Sequence, residues 1–219
     1  DQLDGMVTER TRGVCVVHYL GMPVDMGRVN TVAEKHGLFV MEDCALALDT
    51  RLDGVHAGLL GDAGSFSFYP VKHINTAEGG MVVTRRGDLA ATIARTRAFG
   101  VDRTVGERAV PGVYDVTMLG FNYRMNELQA AIGVEQLKKA QAMRARRVEN
   151  YRALREGLLE IDEIGLFDSS EGRFQSSLYC MSVLLDDRLT AERPRLMERL
   201  KELGVGTSVY YPAPVPHLT

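Results

Sequence analysis

The sequence lacks the features that mark several large classes of protein partner. Its formal net charge is only −3, so nothing attracts it electrostatically to nucleic acid or to an anionic membrane. No apolar run approaches the roughly 20 residues that a transmembrane helix needs. We therefore expect neither nucleic acid nor a membrane as a partner.

Cysteine is also scarce, with Cys15, Cys44 and Cys180 as the only three in 219 residues. Their odd number and wide spacing favour reduced thiols in a cytoplasmic protein over a disulfide framework. There is no CxxC pair and no His-rich spacing, so no metal site is predicted.

The first part of the chain has the pattern of a strand, a helix and a second strand. Val14–His18 is a continuous apolar run, interpreted as a central parallel strand. Asp25 is a candidate N-cap for a helix that ends near Gly37, and Leu38–Met41 is the next predicted strand. This order predicts a right-handed crossover in a parallel sheet. Asp43 follows the second strand, at the sheet edge where such folds bind ligands.

Further elements follow from periodicity and turn residues. We predict a hairpin around Leu52–Gly54 and strands at Ser65–Tyr69, Met81–Thr84, Ser177–Leu185 and Val205–Tyr211. Three helical segments are also predicted: an amphipathic helix containing Leu89 and Ile93, a helical stretch of some thirty residues from Met125, and a helix with Leu196 and Leu200 that stops at Gly204.

The long helical stretch is expected to be broken or bent and to carry the chain from one domain, residues 1–140, into another, residues 141–219. Val101–Leu119 shows no period and is expected to be irregular. The basic cluster Arg144–Arg147 is interpreted as a solvated helix face. The chain begins at Asp1 without an initiator methionine and soon enters a predicted strand, so we expect a fragment of a longer protein.

One stretch has a pattern suited to chemistry. Ser65–Tyr69 alternates hydroxyl and aromatic residues, and Pro70 then ends the strand because it has no N–H to donate. Lys72 follows two residues later, and the Gly79-Gly80 turn leads into the next strand. A lysine fixed in this way can be desolvated and become nucleophilic.

Asp43, Ser67 and Lys72 each have an ordinary interpretation when taken alone, as a turn residue, a strand hydroxyl and a surface lysine. Together they match the needs of pyridoxal phosphate. The cofactor requires an amine for a Schiff base, a carboxylate that keeps the pyridine nitrogen protonated, and donors for its phosphate.

At these residues the sequence resembles the sugar aminotransferases of the DegT/DnrJ/EryC1/StrS family, which are fold-type I pyridoxal-phosphate enzymes. The resemblance runs from about Val14 to the C-terminus and rests on six segments in one order: Glu42–Ala45, Gly61-Asp62, Phe66–Lys72, Glu78–Met81, Gly120–Met125 and Tyr210–Pro212. It implies an α/β fold, the aspartate aminotransferase-like three-layer α/β/α large domain, incomplete here, with a smaller α+β C-terminal domain.

The resemblance also implies roles for individual residues. Lys72 would bind the cofactor as a Schiff base and then act as general base. Asp43 would pair with the pyridinium nitrogen, Ala45 would pack against the ring, and Ser67 would bind the phosphate. Asn122 would reach the phosphate of a neighbouring subunit's cofactor, which implies a homodimer with shared active sites.

Two positions that the resemblance assigns to substrate, and one departure from the family, affect the site. Arg124 would bind substrate or brace its loop, with both possibilities open. Tyr210 stands where many members have histidine, which would alter the substrate pocket. Leu46 occupies a place that often holds a hydrogen-bonding Gln or His, so another group must contact the cofactor's 3′ oxygen or the ring is tuned differently.

The implied activity is transfer of an amino group, from L-glutamate, to a keto carbon of a nucleotide-linked deoxysugar. One alternative is a related sugar dehydratase, which has histidine in place of the lysine. His73 adjoins Lys72, but the spacing from both Ser67 and Glu78 selects Lys72 and favours the transaminase. The other alternative is a catalytically silent binding or regulatory homologue.

Overall fold

The computed structural model of the chain describes residues 2–167, 170–214 and 217. Positions 168, 169, 215, 216, 218 and 219, all within the predicted second domain, lie outside the described residues. The described parts of Asp1–Tyr151 and Asp168–Cys180 form one compact unit, and those of Arg152–Phe167 and Met181–Thr219 form another. None of the described helices is both long and apolar enough to cross a bilayer.

The chain contains five helices and nine strands among the described residues. They are α1 Leu3–Met6, β1 Gly13–Val17, α2 Met26–His36, β2 Phe39–Asp43, β3 Arg51–Leu52, β4 Val55–His56, β5 Ala63–Ser67, β6 Gly80–Val83, α3 Gly87–Thr96, α4 Glu127–Leu158, β7 Ile164–Leu166, β8 Phe174–Gln175, β9 Val183–Leu185 and α5 Arg193–Glu202.

The main sheet has four strands in the order β1-β2-β5-β6. β1, β2 and β5 are parallel, as predicted, whereas β6 runs antiparallel to β5. The connection Phe68–Gly79 between β5 and β6 holds no helix, and a parallel return normally needs a helical crossover.

Within the described residues, β1 is not the central strand that Val14–His18 was predicted to form. β1 covers only Gly13–Val17 and lies at one end of the strand order. The residue Val17 is 49% exposed. An apolar run indicates burial but does not say which strands lie on either side.

Helix α2 forms where it was predicted and covers one face of the sheet. Gly37 ends it in the left-handed conformation, with φ 63°, which glycine adopts without a steric penalty. Met26 and Ala33 on its inner side pack with Val16 and Val40 of the sheet to form the main apolar core.

Strand β2 divides its side chains between two faces. Val40 and Glu42 are buried on the side that packs against α2, and Asp43 is half-buried on the other. In the register with β5, Asp43 lies beside Ser65, so Ser67 lies on the same face two residues further on.

The predicted hairpin is present as the antiparallel pair β3–β4. Asp53 and Gly54 form its two-residue turn with φ 51° and 76°, the positive values that a type I′ turn requires. Strand β8 adds to the other side of β3, so residues that follow α4 complete this small sheet.

Helix α4 is one continuous element of 32 residues, so the break that was one of the two expectations for it does not occur. It begins in the first unit and ends in the second. The second unit contains the antiparallel pair β7–β9 and helix α5, which has proline in its first turn and is followed by Gly204 at φ 80°. The predicted helix before Gly204 is therefore confirmed.

Two predicted strands are corrected. Of Ser177–Leu185, only Val183–Leu185 is a strand. Leu178 has φ 53°, which is not an extended conformation, and the backbone N–H of Ser177 donates to Gly21 O at 3.0 Å and not to a neighbouring strand. Val205–Tyr211 forms no strand, although all of these residues are described. Its alternating pattern has no partner strand within the described residues.

Candidate functional site

Lys72 lies on a loop that is closed at its base. Phe68 N–H donates to Gly79 O and Thr76 N–H donates to Phe68 O, both at 2.9 Å. Gly79 has φ 150°, and a Cβ there would lie 2.5 Å from Thr76 Oγ1, so the closure requires glycine. Lys72 therefore lies within a loop of defined conformation that connects β5 and β6.

The local turn sets the direction of the lysine. Lys72 N–H donates to Tyr69 O at 2.9 Å, and Pro70 supplies the fixed φ at the second position of this turn. Lys72 is half-buried and lines a small cleft together with Ala45 and Ser67. The remaining walls are formed by Cys44, Leu48, Phe66, Phe68, His73 and Ile74.

Asp43 lies at the carboxyl end of β2, next to this cleft. Its Oδ1 accepts a hydrogen bond from Ala45 N–H at 2.9 Å, which ties the carboxylate to a residue of the cleft wall. No cationic side chain among the described residues lies within 4.0 Å of the half-buried Asp43 carboxylate. Its charge is therefore available to a cationic group of a ligand.

The amine and the hydroxyl are similarly available. Within the described parts of the chain, Lys72 Nζ has no carboxylate partner within 4.0 Å. Ser67 Oγ accepts a hydrogen bond from Tyr69 N–H at 3.3 Å and can still donate its own hydrogen.

This set of groups has a definite chemical capacity. A half-buried amine can form an imine with an aldehyde, an unpaired carboxylate can stabilise a protonated ring nitrogen, and a hydroxyl can donate to a phosphate oxygen. The amine, the carboxylate and the hydroxyl therefore match the chemical groups of pyridoxal phosphate, the cofactor that the sequence predicts.

Besides Asp43, which lies beside the cleft, three of the predicted site residues do not line it. Asn122 is exposed and pairs through its backbone with Ala98. Arg124 is also exposed, and its guanidinium carbon lies 4.6 Å from the centre of the Phe99 ring. Tyr210 belongs to the second unit.

Leu46, the predicted departure from the family pattern, is buried, and its side chain does not line the cleft. Its carbonyl accepts a hydrogen bond from Ser177 Oγ at 2.7 Å. The side chain supplies no hydrogen-bonding group to a bound ring.

Glu42 is a residue whose importance the sequence did not reveal. Its fully buried carboxylate accepts hydrogen bonds from the N–H groups of Gly58 at 2.8 Å, Leu60 at 2.8 Å and Gly61 at 2.7 Å. Burial opposes its charge, but the hydrogen bonds from His18 and from these N–H groups hold the pKa of Glu42 below its ordinary value. Glu42 thereby fixes the loop before β5.

His18 completes this arrangement as a neutral ring. Its Nδ1 accepts a hydrogen bond from Val24 N–H at 3.2 Å, so the proton is on Nε2, which donates to Glu42 Oε2 at 2.9 Å. In the sequence, His18 is a single polar residue at the end of an apolar run, far from Glu42. The spacing of the two residues therefore gave no signal that they form a pair.

His18, Glu42 and Cys44 offer ligand atoms within 4.8 Å of one another, the one such group among the described residues. They do not form a metal site, because both ring nitrogens of His18 are already hydrogen-bonded and Glu42 is fully satisfied. Burial, together with the charges of Glu42 and Asp43, also raises the pKa of the Cys44 thiol well above its ordinary value, which opposes thiolate formation.

The basic cluster on α4 is not a uniformly solvated face, contrary to the sequence interpretation. Arg144 forms an ion pair with Asp49, and Arg147 is half-buried, whereas Arg146 is exposed. Arg147 and Arg144 precede the buried Tyr151 by about one and two helical turns, so the helical period could have placed both on the inner face.

The chain is similar to known proteins over its whole length. The model of the DegT/DnrJ/EryC1/StrS aminotransferase family matches residues 1–219. The GDP-perosamine synthase of Caulobacter vibrioides is 32% identical over 225 residues, covering 96% of this chain and 55% of that protein.

Two solved structures extend the likeness to the fold. PseC of Helicobacter pylori, an aminotransferase involved in the biosynthesis of pseudoaminic acid, gives a TM-score of 0.89 at 27% identity and covers 98% of this chain and 56% of that one. DesI, solved in the presence of its TDP-sugar product, gives a TM-score of 0.84 at 36% identity and covers 97% and 52%. The predicted fold class is confirmed, and the chain spans about half the length of the curated relatives it matches.

Proposed function

The chain belongs to the DegT/DnrJ/EryC1/StrS aminotransferase family, and from this premise we propose that it carries the cofactor site of a pyridoxal-phosphate-dependent sugar aminotransferase. The observation that carries the proposal is the cleft in which Lys72, Ala45 and Ser67 meet, with the Asp43 carboxylate beside it. Family membership supports the cofactor, and the chemistry of these side chains supports the same choice.

The proposal gives each of these residues a defined role. When bound, pyridoxal phosphate supplies an aldehyde and a ring that withdraws electrons from the substrate carbon. Lys72 Nζ would hold the aldehyde carbon and, once released from it, would take the proton from the substrate carbon that bears nitrogen. Asp43 keeps the ring nitrogen protonated, Ser67 Oγ donates to the phosphate, and Ala45 packs against the ring.

The test of this assignment is the visible absorbance of the whole purified protein. We expect a band near the visible edge that disappears in Lys72→Ala, with activity lower by about 10³-fold because the general base is lost. Lys139→Ala, which changes an exposed lysine of α4, is the matched control and should keep both. An unchanged band in Lys72→Ala would overturn the role of this lysine.

For the substrates, we propose a nucleotide-linked keto-deoxysugar as acceptor and L-glutamate as donor. The names of GDP-perosamine synthase and of the DesI complex with a TDP-sugar support a nucleotide sugar. The assay is a panel of nucleotide-linked keto sugars with glutamate, followed by product analysis. An amino sugar supports the proposal, a deoxygenated keto sugar indicates the related dehydratase, and failure to bind cofactor indicates a silent homologue.

The position of His73 favours the transaminase over the dehydratase. Its Nε2 donates to Ser177 O at 3.4 Å and its ring lies 5.4 Å from the ring of Tyr179. The histidine is thus engaged with the protein, whereas the amine of Lys72 is available to the cleft.

We also propose a homodimer in which Asn122 reaches the cofactor phosphate of the partner subunit. Asn122 is exposed and lies outside the cleft that contains Lys72 of the same chain. Its neighbours Phe121 and Tyr123 are exposed aromatic residues whose rings stack 5.1 Å apart. Exposed apolar groups of this kind are typical of a surface that another protein covers.

A further inference from the structure

The carbonyl group just before Lys72 is bound by a residue far along the chain. The turn from Tyr69 to Lys72 uses the Lys72 N–H and the Tyr69 carbonyl, which leaves the Val71 carbonyl free of the turn. Tyr179 Oη donates to Val71 O at 3.2 Å. The residue that precedes Lys72 is therefore held through its backbone carbonyl by the hydroxyl of Tyr179.

The residue just after Lys72 is held by the same distant segment. His73 Nε2 donates to Ser177 O at 3.4 Å. Ser177 is itself anchored in the core, since its N–H donates to Gly21 O at 3.0 Å and its Oγ donates to Leu46 O at 2.7 Å. The loop of Lys72 is thus attached to a rigid support.

Arg147 of α4 fixes the backbone that presents Tyr179. Its Nη1 donates to the carbonyls of Leu178 at 3.3 Å and Tyr179 at 2.8 Å. Leu178 has φ 53°, a conformation that a leucine rarely adopts, and these charge-assisted hydrogen bonds help to keep it there. The side chain of Tyr179 is therefore directed by a group on a separate helix.

We propose that Tyr179 and Arg147 are positioning residues for Lys72, an inference that rests on the proposed function of that lysine. An amine that takes a proton from one specified atom must be held closely in place, and a displacement of about 1 Å can cost on the order of 10²-fold in rate. Tyr179 fixes the backbone carbonyl before the lysine, and Arg147 fixes Tyr179. Neither residue lines the cleft that Lys72 shares with Ser67.

The first test is Tyr179→Phe in the whole protein, which removes the hydroxyl and keeps the ring. In the cofactor-free protein, amide hydrogen exchange in the segment 71–73 should rise about fivefold, the effect of losing one neutral hydrogen bond. In the loaded enzyme, kcat should fall about tenfold while KM for both substrates stays within twofold. Tyr114→Phe, an exposed tyrosine in the same unit, is the control and should change neither.

The second test uses adjacent arginines. Arg147→Met removes the donors to the two carbonyls and should reproduce both effects, and Arg147→Lys should restore part of each because one donor remains. Arg146→Met changes the exposed neighbour and should leave exchange and kcat unaltered.

The outcomes separate this proposal from the proposed function. Unchanged exchange and kcat in Tyr179→Phe would overturn the positioning role, as would a rise in exchange throughout the first unit, which would indicate general support of the fold. If Lys72→Ala keeps its visible band, the proposed function fails, and exchange in segment 71–73 still decides whether Tyr179 holds the loop.

Discussion

Glu42 and Asp43 are adjacent in the sequence, and strand geometry sends their carboxylates to opposite faces of the sheet. Glu42 is fully buried and its carboxylate accepts four hydrogen bonds from protein groups, whereas the half-buried carboxylate of Asp43 accepts one, from Ala45 N–H beside the cleft. One carboxylate therefore has a structural task and the other is available to a ligand. The difference comes from the period of two along a strand.

At the scale of single residues, we predict that Glu42→Gln lowers the free energy of unfolding by about 3 kcal/mol or more. The amide has no charge, and its NH₂ group would face backbone N–H donors that need an acceptor. Urea unfolding of the whole protein measures the loss. Glu34→Gln alters an exposed carboxylate of α2 and should change stability by less than about 0.5 kcal/mol. Equal stability of the two variants would contradict the role given to Glu42.

Among the elements, those defined by local signals were predicted well. The helix between Asp25 and Gly37 and the hairpin with its Asp53-Gly54 turn were found because caps and turns are encoded by adjacent residues. Residues 177–182 were mistaken for a strand because their backbone groups bond to distant partners, which a local pattern does not reveal.

The candidate site was predictable to the same extent. Ala45, Ser67 and Lys72 meet in one cleft because the carboxyl ends of neighbouring parallel strands meet at one sheet edge. Arg147 and Tyr179 were missed, since their link to the Lys72 loop depends on how α4 packs. Whether the site residues act as proposed stays a prediction.

The loop of Lys72 also leads to a prediction about pH. Burial and the charges of Arg147 and Lys72 lower the pKa of His73 to about 4, against smaller opposing effects of the Ser177 carbonyl and Asp49. Between pH 6.5 and 4 the unfolded chain binds a proton that the folded protein does not. Stability should therefore fall as the pH falls through this window, by about 3 kcal/mol at most.

The measurement is urea unfolding from pH 7 to pH 4 for the natural protein and for His73→Gln. Glutamine retains a donor for Ser177 O but does not titrate, so the variant should lose less stability on acidification. Identical pH dependence of the two proteins would show that His73 does not have the lowered pKa.

At the scale of the whole molecule, the proposed shared site predicts complementation between two inactive variants. If Asn122 serves the partner's cofactor, a hybrid dimer of Lys72→Ala with Asn122→Ala has one site that carries both defects and one that carries none. Mixing the two after reversible dissociation should restore activity well above the average of the parents. Activity that stays at that average would contradict a shared site.

The first compact unit is not one continuous stretch of chain. The chain leaves it after Tyr151 and returns for residues 170–180, where β8 pairs with β3 and Ser177 enters the core. A gene segment that ended at Tyr151 would encode the cleft lysine without β8, which pairs with β3, and without Tyr179, which binds the Val71 carbonyl. Recombination therefore cannot exchange this unit as a single cassette, and any swap between relatives has to carry residues 1–180 together.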